Sequence, residues 1–204
     1  MDSSEILNRL NLHADAIVIA IVVLAVMLLA MLNHKRLRVA FREWRIQHCL
    51  SKIGSEQIRQ LVCDDGLDGQ YLIDRLALTP NAILLINYRP YVGNIYCAER
   101  IAEWTQVIGQ KSFKFENPLF EIDNQLTALR LLIGSIPVRG YLFFNHSAEF
   151  PKGHPESVLT PDSIPGELLA ANSDPVQPEI QAAWEQLKMH HKGASANRQV
   201  GLKT

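Results

Sequence analysis

The chain has 204 residues with 20 basic and 21 acidic side chains, and 48% of its residues are apolar. This composition excludes a disordered chain, a collagen-like repeat and a disulfide-rich scaffold. The three cysteines form no C-x-x-C pair, so they provide neither a disulfide framework nor a zinc site. The length is sufficient for one domain with extensions.

The first feature along the chain is a run of 17 apolar residues from Ala16 to Leu32, without charge, glycine or proline. A helix of this length spans about 25 Å, the short end of what a bilayer core requires. We therefore predict a retained transmembrane helix that places residues 1–15 outside and residues 33–204 in the cytoplasm. The basic residues that set this orientation follow the run directly and include Lys35, Arg36 and Arg38.

The next segment, residues 33–53, is predicted to be a basic amphipathic helix beside the membrane. Leu37, Phe41 and Trp44 share one helical face, and the neighbouring arginines are suited to contact the anionic headgroups of a lipid bilayer. A role in fixing the orientation of the membrane helix explains the same charges equally well.

Residues 54–167 are predicted to form an α/β core in the order α-β-β-β-α-β, followed by a C-terminal helix and a flexible tail over residues 168–204. Asn117 is placed to cap a helix that starts at Pro118. Residues 46–204 carry 14 basic and 17 acidic side chains, a balance that disfavours a dedicated nucleic-acid binder. The predicted elements are a helix over 54–63, strands over 71–78, 82–88, 93–97 and 111–115, a helix over 118–133, a strand over 138–145 and a helix over 177–191.

These segments resemble the nuclease-related domain, or NERD, a branch of the PD-(D/E)xK nuclease superfamily. The succession of Trp104-Thr-Gln and Phe115-x-Asn117-Pro118 is the most specific part of the match. The resemblance implies a restriction-endonuclease-like core, and bacterial members often carry an N-terminal membrane helix, which implies the bacterial inner membrane as the location. The matching blocks are GSEQIRQLV, IDRLALTPNAILLINYRPYVGNIY, EWTQVIGQKSFKFENPLFEIDNQLTAL and VRGYLFFNHSAEFPKG.

The resemblance carries the chemistry of the family onto individual positions of this chain. The Glu of the first helix corresponds to Glu56, and the Asp of the I-D-H pattern corresponds to Asp74, which Arg75 follows in place of His. The catalytic E-x-K corresponds to Asn87-Tyr88-Arg89, so both of its functional members are replaced. Two helix positions complete the set, with Glu121 at a Gln position and Gln125 at a His position.

The replacements imply a catalytically impaired domain, without a metal cofactor, that acts by binding nucleic acid or a partner. An amide at Asn87 lacks the negative charge that helps a protein strip water from Mg²⁺. The guanidinium of Arg89 stays protonated and cannot accept a proton from water. A basic rim would suit a DNA backbone, and it consists of Arg75, Arg89, Lys111 and Lys114.

Two other functions stay open on the sequence. In the first, Asp74, Glu56 and Glu121 form an acidic trio that binds Mg²⁺ or Mn²⁺, and the chain is an active nuclease with Glu121 as a migrated carboxylate. In the second, the domain is a protein–protein module of a membrane complex and contacts no nucleic acid.

Overall fold

The structure is a computed structural model that describes residues 22–64, 69–170 and 174–201. The chain forms two compact units, Met1–Gln47 and His48–Thr204. In the first unit residues 22–32 are helical, and after a turn at Asn33 helix α1 (His34–Leu50) begins and runs into the second unit. The large apolar side chains between positions 22 and 32 are exposed.

The predicted fold class is wrong at its N-terminal end, where it includes a transmembrane helix. Within the part of the chain that the structure describes, no helix combines the length and the apolar character that crossing a bilayer requires. The helical residues 22–32 account for only about 16 Å. Ala16 and the positions up to 21, which belong to the predicted span, lie outside the described residues.

Among the described residues the second unit contains two β-sheets, two further α-helices, α2 (Pro118–Ile133) and α3 (Pro178–Gly201), and a short 3₁₀ helix, Gly166–Leu168. The larger sheet has the strand order β1-β2-β3-β7-β9, with β1, β2 and β3 antiparallel and β3, β7 and β9 parallel. The smaller sheet has the order β6-β5-β4-β8. In chain order the strands are β1 (Gln57–Asp64), β2 (Gln70–Leu78), β3 (Ile83–Arg89), β4 (Gly93–Tyr96), β5 (Glu103–Ile108), β6 (Lys111–Glu116), β7 (Val138–Phe144), β8 (Ala148–Glu149) and β9 (Val158–Leu159).

The predicted first helix of the core, residues 54–63, is a second error in the predicted fold class, because most of it forms strand β1. The buried positions of this strand are Ile58, Leu61 and Cys63, so the first spacing is three residues rather than two. Gln60 causes this irregularity, since its φ of 54° interrupts the strand geometry between Ile58 and Leu61. A spacing of three is also the spacing of a helical face, and this explains the wrong prediction.

Helix α2 confirms the predicted bounds and packs on the larger sheet. The side-chain oxygen of Asn117 accepts a hydrogen bond from the backbone N–H of Leu119 at 3.0 Å, and Pro118 occupies the first turn. The apolar side of α2 reaches β7 at Gly140, where an added Cβ would lie 2.2 Å from Cγ2 of Ile122. The buried residues of this side include Leu119, Ile122, Leu126, Leu129 and Ile133.

Helix α3 extends further than predicted, and it packs on the same core through Ile180, Trp184 and Leu187. The structure continues this helix to Gly201, ten residues beyond the predicted end of the helix at residue 191. The last three residues, 202–204, lie outside the described part.

Candidate active site

The side chains expected to carry chemistry meet where β2 and β3 lie next to the first turns of α2. Asp74 lies on β2, Asn87 and Arg89 on β3, and Glu121 and Gln125 on α2. β2 and β3 pair antiparallel, with Arg75 opposite Ile86, which places Asp74 next to Asn87 across the ladder. The cap at Asn117 fixes where α2 starts and therefore where its first acidic side chain points.

The guanidinium of Arg89 lies between two carboxylates. Its Nη2 donates to Oε2 of Glu121 at 2.5 Å, and its Nη1 lies 3.9 Å from Oδ2 of Asp74. The backbone N–H of Tyr88 donates to the same Asp74 oxygen at 3.3 Å. The Arg89 side chain is only 19% exposed, whereas the two carboxylates are nearly half exposed. The network therefore places one fixed positive charge against the two negative charges of the site.

The side-chain amides of Gln125 and Asn87 form a chain of hydrogen bonds that begins at Glu121. Nε2 of Gln125 donates to Oε1 of Glu121 at 3.1 Å and to the carbonyl oxygen of Leu72 at 3.2 Å. Both partners are acceptors, so this end of the amide must be nitrogen, and Oε1 of Gln125 then accepts from Nδ2 of Asn87 at 2.7 Å. The buried Oδ1 of Asn87 is left without a hydrogen-bond partner among the described residues.

Glu56 does not join this network. Its Oε2 accepts hydrogen bonds from Nε1 of Trp184 at 2.9 Å and from Nζ of Lys188 at 3.2 Å, both on α3. The hydrogen bond from Trp184, followed by that from Lys188, holds the pKa of Glu56 below its ordinary value. Glu56 precedes β1 and lies opposite Leu78 of β2. Leu78 is four residues from Asp74 along this strand, which corresponds to about 13 Å between their Cα atoms.

Three of the four side chains expected to form a basic rim make hydrogen bonds or ion pairs with other side chains of the protein. Arg75 is buried and donates to Oε1 of Gln57. Burial, followed by the nearby charge of Arg59, lowers the pKa of Arg75 to about 10. Lys114 pairs with Glu103 at 2.9 Å, Arg89 is held by Glu121 as described, and Lys111 is exposed at the start of β6.

A family model now identifies the scaffold that carries this network. The model of the nuclease-related domain, NERD, matches residues 38–145, which is more than half of the chain. This chain belongs to the nuclease-related domain family. Neither a curated protein nor a solved structure matches it. The resemblance seen in the sequence is thereby confirmed at the level of the family.

Nuclease chemistry of the NERD type implies a divalent metal bound by several oxygen ligands. Within the described residues, no three His, Cys, Asp or Glu side chains are close enough together to hold such an ion. Asp74 and Glu121 both face one point, but the guanidinium of Arg89 already lies there. The unpaired oxygen of Asn87 is a single neutral ligand and does not offset that charge. The residues present therefore do not fit a divalent metal.

A cleft of about 760 Å³ opens beside Arg89 and Glu121 in this NERD domain. Glu103 and Glu116 add two further carboxylates to its wall, and Arg89 is the one cationic side chain among the described residues that line it. The sequence gives no signal for these two glutamates, because β5 was not predicted and Glu116 ends the short strand β6. Aromatic rings form much of the remaining wall, namely Tyr91, Phe115 and Phe120.

Proposed function

We propose that this NERD domain does not hydrolyse nucleic acid and acts by binding a partner in the cleft beside Arg89. The observation that carries the proposal is the position of the Arg89 guanidinium between Asp74 and Glu121, at 3.9 and 2.5 Å. A cation built into the protein lies between the carboxylates that would otherwise attract a divalent ion and offsets one of their two charges.

The chemistry of the arginine supports the same conclusion. Hydrolysis requires a group that activates water and holds the resulting hydroxide. A guanidinium stays protonated across the range in which proteins work, so Arg89 binds an oxyanion but removes no proton. The side-chain N–H₂ group of Asn87 already donates a hydrogen bond to Oε1 of Gln125. Neither replacement restores the function of the acid and the lysine in the family motif.

The charges of the cleft favour a polypeptide partner over a bare phosphate backbone. Three glutamates and one arginine line the cleft, and that arginine is already held by Glu121. A phosphate would have to displace Glu121 and would face the carboxylate of Glu116, which repels it, while the carboxylate of Glu103 is paired with Lys114. A partner with amide or basic side chains and an apolar group for the aromatic wall meets no such cost.

A second candidate, a metal-dependent nuclease, is favoured by one observation. Asp74 and Glu121 contact the same guanidinium, so both carboxylates face one point in the site. If the Arg89 side chain swung away, these carboxylates and Oδ1 of Asn87 would be the oxygen ligands that remain. This candidate requires that the free energy gained by binding the metal exceed the free energy lost when Arg89 leaves its ion pairs with Asp74 and Glu121.

A cleavage assay on the purified full chain separates the two candidates. The wild-type chain in Mg²⁺ or Mn²⁺ is expected to cleave DNA no faster than the Asp74→Ala variant. The double variant Asn87→Glu, Arg89→Lys restores the family motif and is expected to gain metal-dependent cleavage. The conservative change Arg139→Lys, at an exposed ion pair with Glu167, is the matched control and should gain none.

Cleavage by the wild-type chain that disappears in both Asp74→Ala and Glu121→Gln would overturn the proposal and establish the second candidate. DNA binding is measured in parallel by fluorescence anisotropy at several salt concentrations. Tight, salt-dependent binding that Arg89→Met abolishes would identify DNA as the partner and contradict the preference for a polypeptide.

A further inference from the structure

Helix α1 carries an exposed apolar stripe on one of its faces. Leu37, Phe41 and Trp44 lie four and three residues apart, and between 54% and 60% of each residue is exposed. The rings of Phe41 and Trp44 stack with their centroids 5.8 Å apart, so they form one continuous surface. Three large apolar side chains in adjoining turns exceed the scattered exposure of an ordinary protein surface.

Arginines border this stripe along its length. Arg38, Arg42 and Arg45 repeat the same spacing one residue further on, which rotates them by about 100° around the helix axis. Over the whole of α1 there are five Lys and Arg residues and one acidic residue, Glu43. Glu43 accepts a hydrogen bond from the side chain of Gln47 at 2.9 Å on the helix itself.

We propose that α1 binds an anionic lipid surface, with its axis in the plane of the interface and the apolar stripe below the headgroups. The apolar stripe and the arginines beside it together indicate that the partner is a lipid surface. An acyl layer covers the stripe of Leu37, Phe41 and Trp44, while anionic headgroups meet the arginines beside it. A nucleic acid would satisfy the arginines and leave the stripe in water.

A second exposed apolar segment precedes α1 in the chain. Residues 22–32 are helical, and their large apolar side chains are exposed as well. A partner that is apolar on one side and anionic on the other accommodates both segments. This contact is a surface association of an amphipathic helix, and it does not depend on what the cleft beside Arg89 binds.

Vesicle flotation of the full chain tests the proposal with Arg38→Gln, Arg42→Gln as the main variant. The wild-type chain is expected to float with vesicles containing phosphatidylserine and to bind pure phosphatidylcholine much more weakly. Since each basic side chain near an anionic surface contributes about fivefold, the double variant should lose about 25-fold in partitioning. The double variant Arg100→Gln, Arg139→Gln removes the same charge elsewhere and should retain binding.

Tryptophan fluorescence gives a second readout of the same contact. Trp104 and Trp184 are fully buried, so a blue shift on addition of vesicles reports Trp44. Phe41→Ser should reduce the shift, whereas Leu131→Ser, at an exposed leucine of α2, should not. Equal binding to both lipids, binding that survives the arginine variant, or no binding overturns the proposal. Self-association that Phe41→Ser abolishes, without vesicle binding, would instead identify the face as a contact between protein chains.

Discussion

At the scale of single residues, the orientation of each amide in the site follows from its neighbours. Glu121 and the carbonyl of Leu72 can only accept, so Gln125 must donate to both, and Asn87 must donate to Gln125. The unpaired Oδ1 of Asn87 is the consequence at the end of this chain. The exposed carboxylate of Glu121 thus determines, through Gln125, how the buried amide of Asn87 is oriented.

Replacing Gln125 tests how much the chain of hydrogen bonds from Glu121 through Gln125 to Asn87 contributes to the stability of the fold. Gln125→Leu leaves the Asn87 amide buried without a partner, and we expect the free energy of unfolding to fall by about 2 kcal/mol. Urea denaturation monitored by circular dichroism measures the change. Asn124→Leu replaces the adjacent amide, which is exposed, and should shift the midpoint little. Equal effects of the two substitutions on the free energy of unfolding would show that this chain of hydrogen bonds does not stabilise the fold.

At the scale of the elements, prediction from sequence succeeded where local signals were strong. Helix α2 has an asparagine cap, a proline in its first turn and a repeating apolar face, and its predicted bounds are correct. Strand β5 has no such signal, because only Trp104 among its residues is buried, and the strand was missed. Strand β1 was predicted as a helix because the irregularity at Gln60 imitates helical spacing.

The site was predicted in part for the same physical reason. Asp74 and Arg89 lie on a hairpin and Glu121 follows a clear helix start, so the scaffold brings the three together as the family resemblance implies. Glu56 was expected beside them but contacts Trp184 and Lys188, more than 120 residues further along the chain. No local pattern indicates a contact at that separation.

The approach of α2 to β7 depends on the missing side chain of Gly140. Gly140→Ala would place a Cβ 2.2 Å from Ile122 and 3.1 Å from Leu126, so both must move within a packed core. We expect a loss of about 1–3 kcal/mol in the free energy of unfolding, measured by thermal and urea denaturation. Gly193→Ala, in α3 with open space around it, should be neutral or slightly stabilising. A neutral Gly140→Ala would contradict the tight contact.

The attachment of α3 to β1 should depend on pH through Glu56. Because the pKa of this carboxyl is lowered from 4.5, first by Trp184 and then by Lys188, its contribution to stability is present above pH 4.5. That contribution is lost as the pH falls through the lowered pKa. The pKa of Lys188 is raised, first by Glu185, so loss of its charge matters only in strong alkali.

We expect the wild-type chain to be more stable than Glu56→Gln at pH 7, by no more than about 1 kcal/mol because the pair is partly exposed. The difference should vanish as the pH is lowered below 4.5. Urea denaturation of both chains across this range measures it, with the exposed Glu167→Gln as the control. A difference that persists unchanged at pH 3 would contradict the role of Glu56.

At the scale of the whole molecule, charge and apolar surface are divided between the two parts of the chain. The first 45 residues carry six of the 20 basic side chains and four of the 21 acidic ones, while the remainder is acidic in balance. In the remainder, three glutamates and a single arginine are among the described residues that line the cleft. In this NERD domain that arginine occupies the point that both Asp74 and Glu121 face.

Isothermal titration of the full chain with Mn²⁺ tests this central claim most directly. The wild-type chain is expected to bind no more Mn²⁺ than Asp74→Asn does. Arg89→Met keeps an unbranched side chain and removes the guanidinium with its charge, so Mn²⁺ affinity should rise at least tenfold, and Asp74→Asn in that background should abolish the gain. Tight Mn²⁺ binding by the wild-type chain that Asp74→Asn removes would contradict the account.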